Sequence, residues 1–106
     1  MIEIYKSEYI IINLKKNVLY HTILNKLPNL EEFKKMTNVL QTFFNICVEK
    51  NKHFYQIYNF NNIEISSIPE FSKCTNFITN FFSKNKNMFS NNLYCSGVII
   101  NNFLVR

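Results

Sequence analysis

The spacing of apolar residues changes at Asn29, and that change limits the chain to folds that combine sheet and helix. Upstream, Ile2-Glu3-Ile4-Tyr5 alternates in side-chain character, breaks at Lys6-Ser7-Glu8 and resumes from Tyr9 to Leu14 with β-branched residues dominant. This pattern predicts two antiparallel strands joined by a short turn. Lys15-Lys16-Asn17 interrupts again before Val18 to Leu24, which reads as a further extended segment or a structured approach to a helix. Downstream, Leu30, Phe33, Met36, Leu40, Phe43, Phe44 and Cys47 recur at helical spacing, with Lys34, Lys35, Asn38, Gln41, Asn45 and Glu49 opposite. Asn29 followed by Glu32 has capping-box spacing, so an amphipathic helix is expected to run to about residue 50.

His53 to Phe60 predicts the next strand, and its aromatic and β-branched residues on both faces predict cover on both sides. Ser67 and Glu70 form a second capping-box spacing, with Pro69 in the first turn. The helix it opens continues through Phe71, Cys74, Ile78, Phe81 and Phe82 and should fray near Lys84 to Asn87. Leu93 to Asn101 has the short apolar run of a central strand. The order is hairpin, helix, strand, helix, strand. Right-handed crossovers then give an α/β fold, a mixed sheet of four or five strands with helices packed on it. No repeat and no Gly/Ser- or Pro-rich linker divides residues 1–106, so one domain is expected.

Deficits narrow the chemistry. The chain holds one glycine, Gly97, and no aspartate. A Walker A loop, a dinucleotide fingerprint and a nucleophile elbow each need several glycines, so these sites are excluded, as is any reaction that needs an Asp. His21 and His53 lack the helical i, i+4 partners of a metal site. Cys47, Cys74 and Cys95, at separations of 27 and 21, match neither a metal pair nor a disulfide framework, and read as small buried hydrophobes in a reducing compartment. No catalytic residue, metal or cofactor is expected, and the chain reads as a non-enzyme.

The formal net charge of +5 comes from lysines spread between Lys6 and Lys86 without a basic block. Eighteen asparagines, with abundant Lys, Ile, Phe and Tyr, are what A+T-rich coding DNA produces. The longest apolar run, Tyr9 to Ile12, is far below the ~20 residues of a membrane span. With no signal peptide visible at the start, a cytoplasmic location without membrane insertion is expected. Ser66 and Ser67, at a predicted helix start, suit an N-cap or a phosphorylation site.

Taken in order, Tyr9 to Leu14, Leu30 to Val48, His53 to Phe60 with Ile63-Glu64-Ile65, and Leu93 to Asn101 with Leu104-Val105-Arg106 resemble a STAS-type domain. That fold is shared by anti-sigma-factor antagonists and the cytoplasmic tails of sulfate transporters; the closer likeness is to divergent protist and large-DNA-virus forms. The resemblance implies a regulatory or scaffolding module acting through protein contacts. In the family a serine of an Asp-Ser pair followed by glycine, after the third strand, is the phosphorylation switch. Here Ile65-Ser66-Ser67-Ile68-Pro69-Glu70 keeps serine without the aspartate or glycine. The family also continues beyond the last strand into further helices and a strand, whereas this sequence stops at Arg106. An uncovered last segment is therefore expected to bind a protein partner or a second copy through Leu93, Val98, Ile100, Phe103 and Val105. Two other readings stand beside this one. A small-ligand or lipid-headgroup binder needs an apolar pocket lined by phenylalanines. A nucleic-acid-associated protein needs lysines on one face interleaved with exposed aromatics.

Overall fold

The computed structural model describes residues 1–63 and 72–99. Strands β1 (Ile2–Lys6), β2 (Ile10–Lys15), β3 (Val18–Ile23), β4 (Phe54–Asn59) and β5 (Leu93–Ile99) form one five-stranded sheet in sequence order. β1 and β3 flank β2 antiparallel, while β3, β4 and β5 run parallel. The segment after Lys15-Lys16-Asn17 is thus a strand, and it is the middle one. Its turn carries Lys16 at φ 56, a left-handed conformation that costs a side-chain-bearing residue roughly 1–2 kcal/mol.

Three helices are described: α1 (Leu30–Glu49), α2 (Thr75–Lys84) and α3 (Lys86–Asn92). The crossovers β3 to β4 and β4 to β5 step in the same direction across the sheet. Because such connections are right-handed, both must lie on the same face. Phe44 of α1 marks the meeting point, with ring centroids 5.7 Å from Phe54 of β4, 5.9 Å from Phe81 of α2 and 5.4 Å from Phe89 of α3. Among the described residues strand order never reverses, so the five strands form no switch-point crevice of the kind in which doubly wound folds hold ligands.

The two ends of α1 follow from local chemistry. The Asn29 side chain accepts from the Glu32 N–H at 2.9 Å, as the capping spacing predicts, while the Glu32 carboxylate accepts from the Tyr5 hydroxyl at 2.6 Å and ties α1 to β1. At the far end Asn51 takes φ 51, and the N–H groups of Lys52 and Asn51 donate to the carbonyls of Cys47 (2.8 Å) and Val48 (3.3 Å). This is a Schellman ending with asparagine in the position usually held by glycine. Between these ends Phe33, Met36, Leu40, Phe44 and Cys47 bury against Ile10, Ile12, Leu19, Ile23 and Phe54. Each such large side chain contributes about 1.5–3 kcal/mol of burial.

The structure departs from the sequence expectations in four places. β4 has helix cover on one face only among the described residues, because both crossovers share that face. Among the described residues β5 lies at the sheet edge, with Tyr94 to Ile99 exposed, and is not central. Cys47 and Cys74 are buried but Cys95, on that edge strand, is exposed. The stretch expected to fray is pinned. Buried Asn85 accepts from Gln41 Nε2 and donates to Gln41 Oε1, both at 2.9 Å, and α3 follows directly. Asn92 then donates to the carbonyls of Cys47 (3.1 Å) and Lys52 (2.8 Å), closing α3 onto the end of α1. The second capping box at Ser67 and Glu70 lies outside the described residues.

Candidate functional site

The register sorts the strand side chains into two sets. Toward the helices, Ile12, His21, Tyr58 and Val98 form one row across the sheet, and Leu14, Leu19, Gln56 and Ser96 form the next. Away from the helices the rows are Lys15, Val18 and Tyr55; Asn13, Tyr20, Ile57 and Gly97; and Ile11, Thr22, Asn59 and Ile99. An irregularity between Phe54 and Gln56 brings Tyr94 of β5 to 4.9 Å from Tyr55, ring to ring.

Between the sheet and helices α1 and α2 lies an apolar cavity of about 260 Å³. Ile10, Ile23 and His21 form its floor, Met36, Leu40 and Phe44 one wall, and Ile78, Phe81 and Phe82 the other. Phe60 and Val98 complete the mouth, where Phe82 is 44% and Val98 56% exposed. An apolar cavity of about 150 Å³ already holds a benzene ring, so this one has room for a larger apolar group. Its polar atoms are largely committed to protein partners. Thr37 Oγ1 donates to the Phe33 carbonyl at 2.7 Å. Gln56 Oε1 accepts from His21 Nε2 at 3.3 Å, which requires the Nε2–H tautomer, and Gln56 Nε2 donates to Ser96 Oγ at 3.1 Å.

Burial sets the electrostatics here. His21 stacks on Tyr58 at 4.3 Å, and desolvation pulls its pKa down to about 4 against a smaller opposing effect of the Gln56 bond. The imidazole is therefore neutral at pH 7 and donates rather than carries charge. Desolvation pushes the Tyr58 phenol up to about 12. Tyr5 also rises to about 12, first through burial and then through its bond to the Glu32 carboxylate. Burial raises the Cys47 thiol, with Lys52 opposing, which keeps it from the thiolate form a nucleophile needs.

Of the residues singled out in the sequence, Val98 stands at the cavity mouth and Leu93 is half-buried against the core. Ser66, Ser67, Ile100, Phe103 and Val105 lie outside the described residues. Histidines 21 and 53 are separated by the sheet: His21 is in the core, whereas His53 stacks on Tyr94 at 5.1 Å. Sequence reading missed the His21–Gln56–Ser96 chain, whose only signal was three polar residues at inward positions of three strands. Among the described residues no group of three or more His, Cys or Glu side chains is placed to hold a metal, and no helix is long and apolar enough to cross a membrane. Comparison with protein families, with curated proteins and with solved structures gives no match.

Proposed function

We propose that the chain is a non-enzymatic, STAS-like module that works through protein contacts, and that the groove between α1, α2 and β5 receives apolar side chains from its partner. The observation that carries this reading is the open apolar mouth, where the phenyl ring of Phe82 and the Val98 side chain stand in solvent above a deep apolar cavity. Exposed apolar surface around a pocket marks binding sites more often than it marks ordinary surface. A bulky side chain on an amphipathic helix is the occupant this shape fits, because the two walls are helices, α1 and α2, that form a groove between them. The mixed sheet with helices on one face supports the STAS-like reading at the level of architecture. β5 adds to it: the strand is an edge among the described residues and holds no charged residue or proline from Leu93 to Ile99, the devices that usually block edge pairing.

A second reading, binding of a small apolar molecule, is favoured by the depth of the same cavity, which reaches Ile10 and His21. One experiment separates the two. A photo-crosslinking residue at Phe82 in the full chain, expressed in its native cell, should capture a discrete protein that the same residue at Lys34 on the outer face of α1 does not. Phe82→Ala and Val98→Thr should both abolish competition for that protein while leaving circular dichroism unchanged. Equal capture from Lys34 would contradict the contact reading. Stoichiometric binding of naphthalene, with no protein captured, would assign the groove to the small-molecule reading.

A further inference from the structure

On the opposite face of the sheet, the geometry points to a binding site for single-stranded nucleic acid at the end that carries Lys15, Tyr55 and Tyr94. Three rings run in series there: His53 to Tyr94 at 5.1 Å and Tyr94 to Tyr55 at 4.9 Å, with Tyr94 58% and Tyr55 39% exposed. None of them belongs to the buried cluster that holds the helices to the sheet. Large aromatic rings left in solvent and in contact with one another form a stacking platform for unpaired bases, whatever their sequence.

Charge surrounds this platform. Lys15 lies in the same cross-sheet row as Tyr55, with Val18 between them. Lys16 sits in the adjoining turn, whose Asn17 carbonyl accepts from the Tyr55 N–H at 2.8 Å. Lys50 and Lys52 lie in the connection that leads into β4 from the other side. All of these lysines are exposed. The nearby carboxylates are Glu3, opposite Asn13 in the next row, and Glu49 at the end of α1. The ion pair found among the described residues is elsewhere, between Lys34 and Glu31 at 3.9 Å. The lysines at this end are thus available to phosphates spaced along a strand whose bases meet the rings.

Gly97, the chain's one glycine, adds a steric argument. It is in mid-strand, outside the left-handed region, and a Cβ there would meet nothing nearer than Ile57 Cγ1 at 4.0 Å. Neither backbone conformation nor packing requires glycine at this position. What it leaves, next to Ile57 and three residues from Tyr94, is a flat floor where a planar ligand can approach the sheet closely. From β2 to β5, at about 4.8 Å between strands, the platform spans about 14 Å, enough for two or three nucleotides. A duplex hides its base faces and cannot use the rings, so a single strand is the favoured partner.

The test is fluorescence anisotropy of the full chain with roughly ten-nucleotide labelled oligo(U) and oligo(dT), at about 50 and about 200 mM salt. Saturable binding that weakens with salt is expected with both oligonucleotides. Tyr94→Ala should weaken binding about fivefold or more, through lost stacking. The double change Lys15→Gln with Lys16→Gln should reduce the logarithmic salt slope by about 1.4. Circular dichroism of each variant should match that of the parent, and Phe82→Ala, on the other face, should bind as the parent does. Equally tight binding of a duplex, unchanged affinity in Tyr94→Ala, or no saturable binding would overturn the proposal.

Discussion

The two faces of this sheet are built from alternate residues of the same strands, yet they have different chemistry. On the helix side, Phe54, Leu19, Ile12 and His21 are almost wholly buried, and the one polar side chain among them, His21, donates to Gln56 of the neighbouring strand. On the other side Tyr20, Tyr55, Ile57 and Tyr94 have comparable apolar bulk but are half-buried or exposed. Hydrophobic content alone does not decide which face becomes the core. The handedness of two successive crossovers does, because it sends both connections to the same side. No described helix lies on the open face, and the covered face supplies the stability.

The largest expected contrast is between two aromatic truncations. Phe44→Ala removes the ring at which the three described helices meet the sheet, and should cost about 3–5 kcal/mol by urea unfolding. Tyr94→Ala on the open face should change stability by about 0.5 kcal/mol or less. Similar costs at the two positions would break the comparison.

Next in size is the pH dependence from the covered face. With the His21 pKa lowered to about 4 in the folded chain, the unfolded chain takes up its proton first as pH falls below 6.5. The stabilisation is complete above about 6.5 and is lost on descent through about 4, a difference of about 3 kcal/mol at the acid limit. His21→Phe should remove that component of the acid slope in urea midpoints measured from pH 7 to 4. An unchanged slope would place the histidine outside the core.

The amide clamp gives a smaller effect. Asn85→Ala leaves the Gln41 side chain without either of its bonds to the junction of α2 and α3, and should cost about 1–3 kcal/mol. Asn29→Ala, at an exposed cap, should cost about 1 kcal/mol. Thermal melts of the two variants rank them directly.

How much of this was legible in the sequence depended on range. The cap at Asn29, the extent of α1 and the hairpin rest on residues a few positions apart, and local chemistry states them. Asn85 and Asn92 read as part of an A+T-driven excess of asparagine, because their partners Gln41, Cys47 and Lys52 are 40 to 45 positions away. The open face of β4 was misread because Tyr55 and Ile57 look like core residues, and only the topology says that no helix among the described residues covers them. The groove was less legible still, since it is assembled from α1, α2 and four strands. The lysine and tyrosine row exists only once the register of β2, β3 and β4 is known.

Tyrosine nitration of the dilute full chain, mapped by mass spectrometry, reads the covered and the open face of the sheet side by side. Tyr55 and Tyr94 should react quickly and half-buried Tyr58, their neighbour on the opposite side of the same sheet, more slowly. Reaction of Tyr58 at the rate of Tyr94, or protection of Tyr55 and Tyr94 together with it, would contradict the account.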